Sequence, residues 1–114
     1  MNIENRIRYG NKYRKLLCSI RRAERKRLSS CQFEDSPAFY LDEEDIKQLV
    51  EKTWKGESAL SGEEQDLVLV RWKEQEPFSC HDCILLTRRE AQLHKKTRVY
   101  SSEFISKVTE ILSR

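Results

Sequence analysis

Residues 61–75, SGEEQDLVLVRWKEQ, decide the fold, because they support two incompatible local structures. Leu67-Val68-Leu69-Val70 alone is a short apolar run of the kind that forms a buried strand. Ser61 and Glu64, however, have the S-x-x-E spacing of a capping box, in which hydroxyl and carboxylate satisfy the free amides of a helix start. Gln65-Asp66 ahead of the run, Lys73-Glu74-Gln75 behind it and Pro77 as a stop favour a helix over 62–75. Its apolar residues point to several sides, which places this helix at the centre of the fold.

With that stretch helical, its neighbours complete an all-α domain. Downstream, Ser79 and Asp82 are spaced to cap a helix running through Ile84, Leu85, Leu86, Ala91 and Leu93 to about Lys96, with Lys95 and Lys96 suiting its negative end. Ser101 or Ser102 then caps a last helix bearing Phe104, Ile105, Val108, Ile111 and Leu112. Upstream, Asp42 caps a helix over 43–55, with Glu43, Glu44 and Asp45 in the first turn and Gly56 as its terminator. Residues 29–41, containing Ser36-Pro37, are a connector whose apolar members fold over the core.

Ahead of the connector lies a basic amphipathic segment, residues 3–28, IENRIRYGNKYRKLLCSIRRAERKRL. On a helix, Tyr9, Tyr13, Leu16, Leu17, Ile20 and Ala23 gather on one side as a buried stripe. Opposite them Arg8, Lys12, Lys15, Ser19, Arg22 and Lys26 recur by threes and fours, forming a straight row of cations about 27 Å long. Gly10 costs about 1 kcal/mol against alanine in a helix interior, so the helix is open to starting near Asn11.

The fold class expected from these elements is all-α, about five helices in a single bundle-like domain over 1–114. It comprises a basic N-terminal helix over about 3–28, the connector 29–41 and a helical core over 42–114. Three glycines and two prolines are too few for a many-stranded sandwich.

The formal net charge of +3 conceals strong segregation. Residues 1–28 hold ten Lys/Arg against two Asp/Glu, residues 29–87 five against fourteen, and residues 88–114 seven against three. Either the acidic middle folds onto the basic helix and neutralises it, or the two form separate faces for different partners. No apolar run approaches a membrane span and the N-terminus lacks a secretory signal, so a cytoplasmic protein, or a nuclear one in a eukaryote, is expected, with no membrane partner. Four cysteines, Cys18, Cys31, Cys80 and Cys83, are then expected as thiols.

Chemistry-bearing motifs are sparse. Cys80-His81-Asp82-Cys83 has a metal or redox spacing, but the second close pair of a structural zinc site is missing and the βαβ context of a redox CxxC is absent. Cys83 and Cys18 are expected as small core residues, Cys80 and His81 on a capped turn, and His94 as a hydrogen-bonded, partly buried side chain. No phosphate-binding glycine loop, H-E-x-x-H or G-x-S-x-G occurs; neither a catalytic activity nor a metal or other cofactor is expected.

Residues 60–72, LSGEEQDLVLVRW, resemble the opening helix of the helix-turn-helix region in sigma-like and phage late-transcription regulators. The next segment, CHDCILLTRREAQLHKK, departs from that pattern by lacking the small-residue turn before a recognition helix. If that helix entered a groove, Thr87, Arg88, Arg89, Gln92, Lys95 and Lys96 would supply donors.

Two functions follow. The first is a small non-catalytic nucleic-acid-binding protein, a transcriptional regulator, whose Arg8, Lys12, Lys15, Arg22 and Lys26 hold phosphates with Arg88, Arg89, Gln92 and Lys96 as second-tier contacts. The second is a protein-binding adaptor or inhibitor docking a larger partner through segregated charge, with Glu43, Glu44, Glu63 and Glu64 on the acidic side. A homodimer formed through the Tyr13, Leu16, Leu17 and Ile20 stripe is a third arrangement.

Overall fold

The computed structural model describes residues 3–28, 36–73, 75–96 and 99–113, with the side chains of the first helix described from residue 12 onward. Arg8 and Tyr9 as side chains, and residues 29–35 of the expected connector, including Cys31 and Phe33, lie outside this description.

Helix α1, Ile3–Leu28, runs through Gly10 without a break, so the expected late start at Asn11 does not hold. Tyr13, Leu16, Leu17, Ile20 and Leu28 are buried, as the stripe requires. That stripe, offered above as a dimer seam, packs into the core of its own chain. Ala23 is exposed, at the edge of the buried face.

After a short 3₁₀ turn, Pro37–Tyr40, capped by the buried Ser36 hydroxyl, Asp42 and Asp45 form a reciprocal cap on helix α2, Glu43–Gln48. The chain continues helically as one wide turn, Leu49–Thr53, whose end is closed by the Trp54 amide donating to the Leu49 carbonyl at 3.1 Å. Lys55 and Gly56, with φ of 60 and 73, then reverse the chain. The helix expected over 43–55 is therefore present, with a widened last turn.

The deciding stretch is a strand. Strand β1, Leu67–Val70, pairs antiparallel with strand β2, Ile84–Thr87, in the register Leu67 to Thr87 through Val70 to Ile84. The expected all-α, five-helix bundle is thus corrected to a mixed architecture, with four α-helices and a two-stranded antiparallel sheet among the described residues. Two local features defeat the helix over 62–75. Gly62 and Asp66 both have positive φ, 78 and 56, and Ser61 Oγ accepts from the Glu63 amide in a bend instead of forming the capping box with Glu64. Ile84, Leu85 and Leu86 are consecutive and fully buried. On a helix three consecutive residues fan over about 200°, whereas a strand covered on both faces buries all three. Burying each is worth about 1.5–3 kcal/mol, more than the roughly 1 kcal/mol of a helix cap.

The expected helix beginning at Ser79 is corrected likewise. Ser79 and Asp82 close a tight turn, with the Asp82 amide donating to the Ser79 carbonyl at 3.1 Å and the Asp82 carboxylate accepting from the Lys73 amide across the loop. The helix starts later: the Thr87 hydroxyl accepts from the Glu90 amide and the Glu90 carboxylate from the Thr87 amide, opening helix α3, Arg88–Lys96. Helix α4, Ser102–Leu112, is capped by Ser101 as expected and buries Val108. No helix among the described residues is long and apolar enough to cross a membrane.

Candidate docking face on the first helix

α1 packs against α2, β1 and the 3₁₀ turn, which leaves its charged residues in three different settings. On the outer face Lys12, Lys15, Ser19, Arg22 and Lys26 are all exposed, and the Lys12 ammonium lies 5.6 Å from the centre of the Tyr13 ring.

One step around the helix, Arg14, Cys18, Arg21 and Arg25 follow the same spacing along the flank facing the start of α2. There Arg14 Nε pairs with Glu43 at 2.9 Å, and Arg21 donates to the Leu41 carbonyl at 2.8 Å. Glu43 raises the Arg14 guanidinium pKa, first through their hydrogen bond and then through its charge. The acidic middle of the chain thus engages the flank of α1 at Glu43 while the outer row remains exposed. Of the acidic candidates, Glu44 bonds Gln48 on its own helix, and Glu63 and Glu64 lie exposed in the loop before β1.

On the inner face sits Glu24, only 1% exposed. Arg27 grips it with Nε at 3.2 Å and 3.3 Å and Nη2 at 2.9 Å, the Ser36 hydroxyl donates at 2.6 Å, and Arg71 Nε approaches to 3.8 Å. Burial alone would raise its pKa, but the bonds from Arg27 and Ser36, the Arg27 charge and the Phe78 amide hold it below the usual carboxylate range. This knot joins α1 to residue 36 and to both ends of the 71–78 loop. Sequence reasoning missed Glu24, although its place was written in the spacing: Ile20, Glu24 and Leu28 are i, i+4, i+8, on the stripe itself.

The second-tier residues Arg88, Arg89, Gln92 and Lys96 are exposed on α3, a helix of nine residues whose Ala91 and His94 are buried. Arg88 is tied to Asp66 at 3.2 Å. The first half of the long helix that was to enter a groove is a turn and a four-residue strand, and the helix-turn-helix resemblance falls on a turn and a strand. The helix-turn-helix route to the expected DNA-binding, regulatory character is therefore not present among the described residues.

Among the other reactive side chains, His94, Cys83 and Glu90 are engaged or buried within the fold. His94 Nε2 faces the Arg71 carbonyl at 2.9 Å, so that nitrogen carries the proton and Nδ1 accepts from the Tyr100 hydroxyl at 2.6 Å. Trp72 stacks on His94 and on Tyr100, beside an open cleft of about 370 Å³. Cys83 is buried, and burial pushes its thiol up to about 12, far from a thiolate at neutral pH. Cys80 and, against expectation, Cys18 are exposed. Glu90 accepts from the Ser58 hydroxyl at 2.6 Å while capping α3; burial would raise its pKa, and the bonds from Ser58 and the Thr87 amide bring it below the usual range.

No family model matches the chain. It is similar to a mouse (Mus musculus) IQ motif and ubiquitin-like domain-containing protein, 32% identical over 116 residues, covering 95% of this chain and 14% of the mouse protein. In Saccharomyces cerevisiae it is similar to tRNA threonylcarbamoyladenosine dehydratase 2, 31% identical over 64 residues, 56% of this chain and 14% of the yeast protein. It is also similar to tRNA threonylcarbamoyladenosine dehydratase 1, 24% identical over 112 residues, 90% of this chain and 24% of that protein. The chain therefore spans less than a quarter of the length of each of these relatives.

Proposed function

We propose that this domain is a non-catalytic docking module that uses the outer face of α1 to bind an acidic surface of a protein partner. One observation carries the proposal: Lys12, Lys15, Arg22 and Lys26 stay exposed after the acidic start of α2 has folded against the flank of the same helix. The charge segregation of the sequence leaves a basic face turned outward, and such a face steers and orients a partner of opposite sign. The similarity of nearly the whole chain to a small share of a longer mouse protein suits a module within larger assemblies. The internal bonding of His94, Glu24 and Glu90 and the burial of Cys83 also favour a binding role over catalysis.

The test is a titration of the chain with poly-glutamate, comparing it with a row-reversed variant (Lys12→Glu, Lys15→Glu, Arg22→Glu, Lys26→Glu) and an acid-reversed variant (Glu44→Lys, Glu63→Lys, Glu64→Lys). Salt-sensitive binding that disappears in the first variant and persists in the second is the expected outcome. Equal binding by all three proteins would remove α1 from the function.

A further inference from the structure

Resting on that docking role, we infer that the partner element is a single acidic α-helix lying along α1, with carboxylates repeated every three and four residues. The row Lys12, Lys15, Ser19, Arg22, Lys26 steps by 3, 4, 3 and 4, so positions 12, 19 and 26 and positions 15 and 22 are one heptad apart. A line with that period follows the path along which two helices stay in register as they cross at a shallow angle. It is about 21 Å long, two heptads of a facing helix. Ser19 at its centre and exposed Ala23 beside it are small, which lets a helix backbone come close between the two pairs of cations.

The edges of the row select against a wider polyanion. A helix with its side chains is about 10–12 Å across and fits above the row alone. Duplex nucleic acid presents phosphate strands on both sides of a groove about 12 Å wide. Seated over the row, it would bring one strand towards the flank where Glu43 holds Arg14 and Asp42, Glu44 and Asp45 begin α2. That same flank offers an apolar grip. Tyr40, 75% exposed, immediately precedes Leu41, whose carbonyl is held by Arg21 from α1. An exposed tyrosine next in sequence to that arginine contact has the chemistry of an interface anchor, and it calls for an apolar residue on the edge of the acidic helix.

The probe is a side-chain-stapled helical peptide of three heptads with glutamates on one 3/4 line and a leucine beside it. It is read by fluorescence anisotropy against an isomer of identical composition with the glutamates spread around the helix. The full chain should bind the line peptide at least about tenfold tighter than the isomer. Tyr40→Ala should weaken it about three- to tenfold at unchanged circular dichroism, and Lys15→Glu with Arg22→Glu should abolish the preference. Equal affinity for the two peptides, both lost on row reversal, would overturn the helical partner and leave the docking role standing. Tighter binding of a DNA or RNA duplex of matched length, or no binding of either peptide or of poly-glutamate, would overturn both.

Discussion

The inner and outer faces of α1 carry charge under different physical rules. Inside, Glu24 is out of water, so it is tolerated only because Arg27, Ser36, Arg71 and the Phe78 amide surround it. Outside, Lys12, Lys15, Arg22 and Lys26 keep their solvent and contribute little to the fold. One helix thus anchors the domain with its inner charge and exposes its outer charge, the face proposed for docking.

The largest effect that can break this comparison is at Glu24. Replacement by Gln removes the anion that both arginines face, and should cost about 3–5 kcal/mol in urea denaturation. A loss under about 1 kcal/mol would mean the knot is ornamental, since that is the scale of an exposed pair.

A pH series sharpens it further, because the two buried carboxylates titrate in opposite directions. Glu24 is held below the ordinary value of about 4.3, so its contribution is present above that pH and is lost as pH falls through its folded pKa. Asp82 is raised, chiefly by burial, which outweighs the lowering by the Lys73 amide, and its Oδ2 has no hydrogen-bond partner among the described residues. Its contribution is present below about 3.9 and is lost as pH rises through its raised pKa. Denaturation midpoints from about pH 3 to 8 should therefore lose their acid limb in Glu24→Gln, while Asp82→Asn removes a decline on the side of rising pH. Parallel curves for both variants would contradict these assignments.

A smaller effect belongs to the hairpin. Thr87→Ala deletes one half of the cap on α3 and should cost about 1 kcal/mol, read as a shift in thermal midpoint. The smallest belongs to the outer row, where the fourfold reversal should leave the midpoint within error of the parent at moderate salt. A large destabilisation there would show that the row is part of the fold after all.

What the sequence made legible was whatever is settled locally. The stripe of α1 from Tyr13 to Ile20, the Asp42 cap of α2 and the Ser101 cap of α4 are each decided within a few residues, and each is found as expected. Leu67–Val70 was decided elsewhere, by pairing with Ile84–Thr87 fourteen or more residues away, and the Ser61–Glu64 signal lost to that pairing. The helix start assigned to Ser79 was a competing signal as well. The T-x-x-E box that is used, Thr87 with Glu90, was present in the same stretch. In the candidate site, exposure of the row followed from helical spacing alone. That the acidic middle meets the flank depends on the Arg14–Glu43 contact across 29 positions, which no local pattern encodes.

The most direct test of the docking face is a backbone amide NMR titration of the full chain with poly-glutamate. Shift changes should concentrate at Lys12, Lys15, Ser19, Arg22 and Lys26, with α3 and the loop before β1 silent. Changes centred on Arg88, Arg89, Gln92 and Lys96 instead, or spread evenly over the surface, would contradict the account.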